Sequence, residues 1–484
     1  MNTPIPNEAP VSFSEQDLAD FSKASGDRNP LHLSREYALC TPYGQQVVFG
    51  CLGAIACLGR LALPAHWTIT ELQAEFLRPM FLSVLYRVEI SEKEGSWIVR
   101  LFDGSLNVVS ITLKTSPGEH ISGEEMPGTA LFPRGEAAAW KQEDMVPGLV
   151  ISGQYACDPD ALRIVTQRWG ADPFLTRVFC WSSYLTGMEL PGESALFSKL
   201  SLHFDSLARG YAKWEYRASV GAIDPRFGQI RLDVSLSAGT ASVASGSCWS
   251  FIRPALPEEE ENYSAGAGTG SLAGRTVVVI GASRGLGAAM KHALELRGAI
   301  VYSLARSGVS SKTPRTEVGD ASDPAVLRRL RERILKEQGR LDFLICNACP
   351  PILPLRLEEN AAKRIEDYIS KAVSITLAPL CAFSELLNSS EGCVVIVSSA
   401  VVEQPVREWP HYAAAKHAVE MLARVASLQY PSLRTLIVRP PKLLTAMTNT
   451  PMARRGAISP RQFAQRIVTR LEDPLEPGKI EVLG

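Results

Sequence analysis

A strand that runs directly into a glycine-rich turn and then into a helix limits this chain's folding more than any other feature. Thr276–Ile280 is apolar and β-branched, Gly281-Ala-Ser-Arg-Gly-Leu-Gly287 follows without a spacer, and Ala288-Ala-Met opens a helix. Glycines there let the backbone turn tightly and approach a pyrophosphate, which the helix N-terminus stabilises. The turn gains meaning from that placement, since a glycine cluster alone says little. Apolar runs at Val277–Ile280, Val301–Leu304, Phe343–Cys346, Val394–Val397 and Thr435–Val438 alternate with amphipathic helical stretches. Such alternation predicts a doubly wound α/β parallel sheet with helices on both faces.

Upstream, residues 254–270 read PALPEEEENYSAGAGTG. Four glutamates followed by Ser, Ala and Gly cannot build a core, so a flexible linker is expected here. Before it the pattern changes. An apolar helix candidate, Val48–Leu63, precedes alternating runs at Tyr86–Ile90, Trp97–Phe102 and Asn107–Leu113, which predicts one helix and an antiparallel sheet. Leu58-Gly-Arg-Leu-Ala-Leu-Pro64 is echoed by Leu185-Thr-Gly-Met-Glu-Leu-Pro191, and Leu72–Phe76 by Leu200–Phe204. The offset stays at about 127 residues across both pairs, which implies an internal duplication. Residues 116–148, rich in Gly, Pro and Glu, are expected to form a surface connection between the copies. The expected domains are therefore 1–118, 149–253, a linker at 254–272, and 273–484.

In the C-terminal region Ser399 precedes Tyr412-Ala-Ala-Ala-Lys416. Residues four apart share a helix face, so the lysine ammonium is expected beside the phenol, favouring phenolate and lowering the tyrosine pKa. Ser399 can hydrogen-bond a substrate carbonyl while hydride arrives from a nicotinamide. An ordinary helix with a surface tyrosine and lysine is the alternative, and the glycine turn upstream in the correct order argues against it.

Together these residues resemble the short-chain dehydrogenase/reductase family, over nearly all of residues 273–482. The resemblance implies cofactor contacts from Gly281, Ser283, Arg284, Gly285, Leu286 and Gly287 in the turn. Asn347 and Ala348, in Leu341-Asp-Phe-Leu-Ile-Cys-Asn-Ala-Cys349, resemble the family's strand-ending Asn-Asn-Ala-Gly. Asp320 takes the place of the adenine-contacting aspartate, and Pro440 and Thr445 resemble the segment that closes over the cofactor, alongside Lys416. The second strand ends Leu304-Ala-Arg-Ser307, without the carboxylate that would bind a ribose 2′-hydroxyl. Arg306 and Arg284 could instead embrace a 2′-phosphate, so NADPH is the expected cofactor. The pattern departs in three places: Ser374 stands for the catalytic asparagine, Cys349 for a glycine after Asn-Ala, and Pro441 for the glycine after Pro440.

The N-terminal region carries Ser25-Gly-Asp27-Arg-Asn29-Pro-Leu-His32. A carboxylate beside an imidazole can hold a hydroxyl between them, one group moving a proton at an α-carbon while the other handles the β-oxygen. A backbone N–H near Gly50, at the positive end of a helix, could polarise a thioester carbonyl. A simple Asx turn with a surface histidine is the alternative. The stretch from Phe13 to Gly50 resembles the MaoC-type (R)-specific enoyl hydratases of the hotdog fold, whose Gly-Asp-x-Asn-Pro-x-His motif is intact. The resemblance implies Asp27 and His32 as catalytic residues and Asn29 and Gly50 as substrate contacts. Phe49 replaces the usual histidine before Gly50. The second copy has Asp172-Pro-Phe but no following histidine, and His203 lies in a strand-like run. Trp181, Tyr184 and Met188 are expected mainly in its core, with an acyl tunnel as the alternative.

A formal net charge of −1 gives no global field for nucleic acid or an anionic membrane. The ten cysteines lack metal-ligand spacing and read as core residues of a reducing compartment, and no signal layout precedes them, so a cytoplasmic setting is expected. The longest apolar run, Val47–Leu63, is broken by Arg60 and reads as a buried helix. The overall expectation is an α+β double hotdog fused to an α/β Rossmann domain, pairing as a homodimer. It would reduce 3-oxoacyl thioesters of coenzyme A or acyl carrier protein with NADPH and dehydrate the 3-hydroxyacyl product. A protein with only one catalytic half is the rival.

Overall fold

The computed structural model describes all residues except 1–8, 63–66, 94, 118–128, 206–212, 256–269, 307–314 and 451. Most of the expected linker lies outside the described residues. The chain divides into two compact units, the first ending at Ala255 and the second taking nearly all of the rest.

The first unit opens with α1 (Glu15–Ser25), started by a Ser14–Asp17 capping box and stopped at Gly26 in the left-handed conformation. The apolar helix expected at Val48–Leu63 is shorter: α2 spans Gly50–Leu58. Val47–Val48 instead pair with Met80–Phe81, which takes their backbone groups out of the helix. Strands β1 (Trp67–Phe76), β2 (Arg87–Lys93), β3 (Ser96–Asp103) and β4 (Leu106–Pro117) complete the first half. The second half holds β5 (Val150–Tyr155), α3 (Pro159–Trp169), α4 (Pro173–Tyr184), β6 (Ala195–Phe204), β7 (Trp214–Asp224), β8 (Gln229–Ala238) and β9 (Ala241–Ile252).

All nine strands form one antiparallel sheet ordered β2-β3-β4-β1-β6-β9-β8-β7-β5. The first half reads outward from the centre as β1-β4-β3-β2, and the second as β6-β9-β8-β7. The repeated strands β1 and β6 meet there, with Glu71 opposite His203 and Gln73 opposite Ser201. Alternating burial, clearest on β8, shows one sheet face packed and the other wet. Helices α2 and α4 are buried almost throughout, which explains why Gly50-Cys-Leu-Gly-Ala-Ile-Ala-Cys-Leu58 has no polar face. They meet where Cys51 Sγ lies 3.6 Å from Ser182 Oγ. Residues 129–148 are more than a surface connection. Leu131 bridges to Ala156, Trp140 Nε1 donates to the Glu189 carbonyl (2.9 Å), and Met145 is buried. Apolar side chains inside a polar stretch anchor it.

The second unit is a seven-stranded, all-parallel sheet: β10 (Thr276–Ile280), β11 (Ile300–Ala305), β12 (Thr316–Val318), β13 (Phe343–Cys346), β14 (Cys393–Val397), β15 (Arg434–Val438) and β16 (Ile480–Leu483). The order β12-β11-β10-β13-β14-β15-β16 reverses direction between β10 and β13, where ligands bind in such sheets. Edge strands β12 and β16 are short and half-exposed, so no apolar run marks them in the sequence. Helices α5 (Gly285–Leu296) and α9 (Pro460–Glu472) pack one face. On the other lie α6 (Pro324–Gln338), α7 (Ala362–Ser389) and α8 (Pro410–Gln429). By length and composition Glu359–Ser389 could cross a bilayer, yet Leu380, Phe383 and Leu387 of this stretch are buried against the sheet.

Candidate functional site

The reversal between β10 and β13 is built by glycines at which a Cβ would press on neighbouring atoms. Gly281 has φ +84°, and a Cβ on it would lie 2.8 Å from the Ala348 backbone. A Cβ on Gly287 would lie 2.0 Å from the Gly281 carbonyl oxygen. The Asn347 amide donates to that same oxygen (3.0 Å), locking the turn to the end of β13. Helix α5 starts at Gly285 with no side-chain cap at Arg284, and Thr445 packs beside Gly285. Leu286 is buried under the turn, Ser283 and Arg284 are exposed on it, and Pro440 is half-buried just beyond β15. Arg306 is exposed at the end of β11. Asp320 is exposed and held below the usual carboxylate range by hydrogen bonds from Ser322 N and Oγ, helped by the Arg306 and Lys371 charges.

The chemistry-bearing residues converge beside this turn. Ser399 follows β14, and Tyr412 and Lys416 share one face of α8. Lys416 Nζ donates to the Val397 carbonyl (2.7 Å) and lies 5.7 Å from the Tyr412 ring centre. The expected direction of the Tyr412 shift is reversed. Burial raises its pKa above the ordinary phenol value, and the Lys416 charge and the Ser399 hydroxyl pull it down only in part. Ser374 is half-buried on α7, close to the point where Pro379 deprives the Ile375 carbonyl of its helical donor. Cys349 Sγ lies 3.5 Å from the Tyr368 hydroxyl, so this departure from glycine is packed into the site rather than left on its rim.

The short chain dehydrogenase family model matches residues 275–456. The C-terminal unit carries a short-chain dehydrogenase domain. The chain is 29% identical over 168 residues to human 15-hydroxyprostaglandin dehydrogenase [NAD(+)], covering 32% of this chain, which spans 61% of that protein's length. It is 28% identical over 183 residues to human L-xylulose reductase, covering 36% of this chain and 75% of that protein. The crystal structure of levodione reductase aligns with a TM-score of 0.39 at 20% identity, over 44% of this chain and 96% of that one. The short-chain dehydrogenase turn fits a nicotinamide dinucleotide: neighbouring backbone, with the Ala348 and Asn347 side chains, fills the space a Cβ would need at Gly281 and Gly287, and the uncapped start of α5 can receive a pyrophosphate.

The first unit gathers its motif differently. Asp27 is buried, and its Oδ2 accepts from Ser183 Oγ (2.6 Å) on α4, while Oδ1 accepts from Asn29 N (3.0 Å). Burial pushes the Asp27 carboxyl up to about 6, against those two hydrogen bonds. Helix α4 continues as a wider π turn, Leu185–Glu189, and a Cβ on its Gly187 would lie 2.5 Å from Asp27 Oδ2. His32 is half-buried and stacks on Phe49, ring centres 3.9 Å apart, with Nδ1 2.7 Å from the Val47 carbonyl oxygen. Burial, reinforced by the Arg253 charge and opposed by the Val47 bond, holds its imidazole down at about 4. No hydrogen bond joins Asp27 to His32; each has its own partner.

Asn29, expected as a substrate contact, spends its side-chain hydrogen bonds within the protein. Its Oδ1 caps the turn at Leu31 N, and its amide donates to the carbonyls of Gly187, Gly192 and Glu193 (3.2–3.3 Å), so both ends are committed to backbone. Gly50 does stand at the uncapped start of α2, and a Cβ there would lie 2.8 Å from the Phe76 ring. Ser183 and Gly187 carried no signal in the sequence. In the second half Asp172 caps α4 through Leu175 N (2.8 Å), and His203 is exposed on β6 beside Glu71. Trp181, Tyr184 and Met188 are core residues.

Proposed function

We propose that this chain joins an NADPH-dependent 3-oxoacyl-thioester reductase to a 3-hydroxyacyl-thioester dehydratase, the latter on a double hotdog. The fold reading is supported by the mirrored strand order about the β1–β6 pair and by the two buried central helices. The observation that carries the dehydratase is the Asp27–His32 turn, which sets a carboxyl titrating near 6 and a neutral imidazole beside the uncapped start of α2.

In the reductase, bound NADPH supplies hydride to the carbonyl carbon. Ser399 orients the carbonyl oxygen and Tyr412 delivers a proton to it. Burial of the phenol keeps that proton in place, the form reduction needs. Arg306 and Arg284 take the 2′-phosphate. In the dehydratase, the Val47 carbonyl fixes the proton on His32 Nδ1, leaving Nε2 to accept the α-proton. Asp27 protonates the departing hydroxyl, and Gly50 N–H faces the thioester oxygen. The product of one site is the substrate of the other. The proposed setting is a cytoplasmic homodimer acting on coenzyme A or carrier-protein thioesters.

A second reading, with only the first unit catalytic, draws on Ser374 and Cys349 standing where the family has asparagine and glycine. NADPH binding followed by fluorescence, with reduction of 3-oxobutyryl-CoA, separates the two: tight binding without turnover supports the scaffold. Dehydration of 3-hydroxybutyryl-CoA without NADPH tests the first unit, and its survival in His32→Ala would refute that assignment.

A further inference from the structure

Glu420 and Arg439 lie outside every residue placed so far in the short-chain dehydrogenase site, yet they join its parts. Glu420 is buried on α8, one turn beyond Lys416 and two beyond Tyr412, and so on their face of the helix. Arg439 follows the last residue of β15 and immediately precedes Pro440. The guanidinium grips the carboxylate with two bonds, Nε to Oε1 (2.9 Å) and Nη2 to Oε2 (2.7 Å). Its Nη1 donates to Glu403, the residue that closes the short turn begun by Ser399. The Arg439 backbone N–H is anchored separately, on the Leu483 carbonyl (2.7 Å) of β16.

We propose that Glu420 and Arg439 are a positioning pair that holds three pieces in mutual register: the Tyr412–Lys416 helix, the turn after Ser399, and the Pro440–Thr445 segment beside the cofactor turn. The side chains are little exposed, 5% for Glu420 and 16% for Arg439, so solvent screens the pair weakly. A buried ion pair is a poor source of stability, because desolvation offsets its attraction. What a two-bond fork supplies is orientation: it fixes both the distance and the plane of the two groups, which an apolar contact would not. Arg439 adjoins Pro440 in sequence, and Glu420 and Glu403 each lie four residues beyond a working residue, Lys416 and Ser399. A shift at the pair therefore reaches Ser399, Lys416 and Pro440 without passing through the sheet.

The test compares Glu420→Gln, Arg439→Lys, Arg439→Met and the double variant Glu420→Gln/Arg439→Met in the full chain. Arg329→Gln, which removes an outer pair with Glu317, is the control. NADPH dissociation constants are measured by fluorescence at a temperature well below every variant's unfolding midpoint. Glu420→Gln and Arg439→Met should each weaken NADPH by about 10- to 100-fold, the span of coupling seen for buried pairs. Arg439→Lys should fall between these and the wild type, because it keeps charge and loses the fork. The double variant should be no worse than the worse single variant, and the control should match the wild type. The double variant leaves no charge of the pair buried alone, so it decides the matter where a single variant fails to fold. A folded double variant that binds NADPH like the wild type would overturn the proposal, whatever its melting temperature.

Discussion

The two units build their sites by opposite routes. In the C-terminal unit the glycine turn, Asn347, Ser399 and the Tyr412–Lys416 face all lie at strand ends or the starts of helices of one parallel sheet. In the N-terminal unit the Asp27 turn depends on the other half of an antiparallel sheet. Ser183, which donates to Asp27, is 156 residues away, and the Asn29 amide reaches carbonyls 158 to 164 residues away. The second half keeps no catalytic motif of its own, yet it supplies the first half's site with a hydrogen-bond donor and a glycine that leaves room.

The largest effects should separate the two units. Tyr412→Phe should lower NADPH-dependent reduction by about two to four decades, the usual scale for a general acid, and leave dehydration of a 3-hydroxyacyl thioester unchanged. Separate steady-state assays check this, and loss of both activities in a folded protein would break the division. Gly187→Ala tests the dependence of the first half on the second. Its Cβ has no room beside Asp27 Oδ2, so dehydration should fall by about two decades, within the range for misplaced acid–base groups, while reduction persists.

Smaller effects sharpen the contrast. Arg306→Ala should weaken NADPH by about tenfold, roughly one charge-assisted bond, and NADH hardly at all. Equal losses in titrations with both cofactors would remove the case for a 2′-phosphate contact. Asp27 makes a stability prediction of unusual sign. Its folded pKa, about 6, lies above its unfolded value, so its contribution is present at low pH and lost as pH rises through 6. At neutral pH the buried carboxylate costs stability, and Asp27→Asn should raise the unfolding free energy by about 1–3 kcal/mol in denaturant titrations. A carboxylate that merely caps a turn would instead destabilise when replaced. Asp172→Ala, in the second half, should cost only about 1 kcal/mol through its lost helix cap and leave turnover intact.

These differences also explain what could be read from the sequence. Gly281, Gly287, Asn347, Ser399, Tyr412 and Lys416 are spaced by local rules, strand to turn to helix and one helical turn, so their assembly was legible. Leu72–Phe76 and Leu200–Phe204, which echo one another in the sequence, pair at the centre of the sheet. Ser183, Gly187, Glu420 and Arg439 act through contacts that no periodicity encodes. The raised Tyr412 pKa was missed because the lysine is visible four residues on, whereas burial is not. The short edge strands β12 and β16 lack apolar runs, and α2 ends earlier than its composition suggests because Val47–Val48 find strand partners.

The central claim is that one chain performs two consecutive reactions at two separable sites. Mass spectrometry of products from 3-oxobutyryl-CoA and NADPH tests it most directly, in the wild type and in Asp27→Asn. The wild type should deliver the trans-2-enoyl thioester, and Asp27→Asn should stop at the 3-hydroxyacyl thioester, formed at the normal rate. Enoyl product from Asp27→Asn at the wild-type rate, or no 3-hydroxyacyl product from either protein, would contradict it.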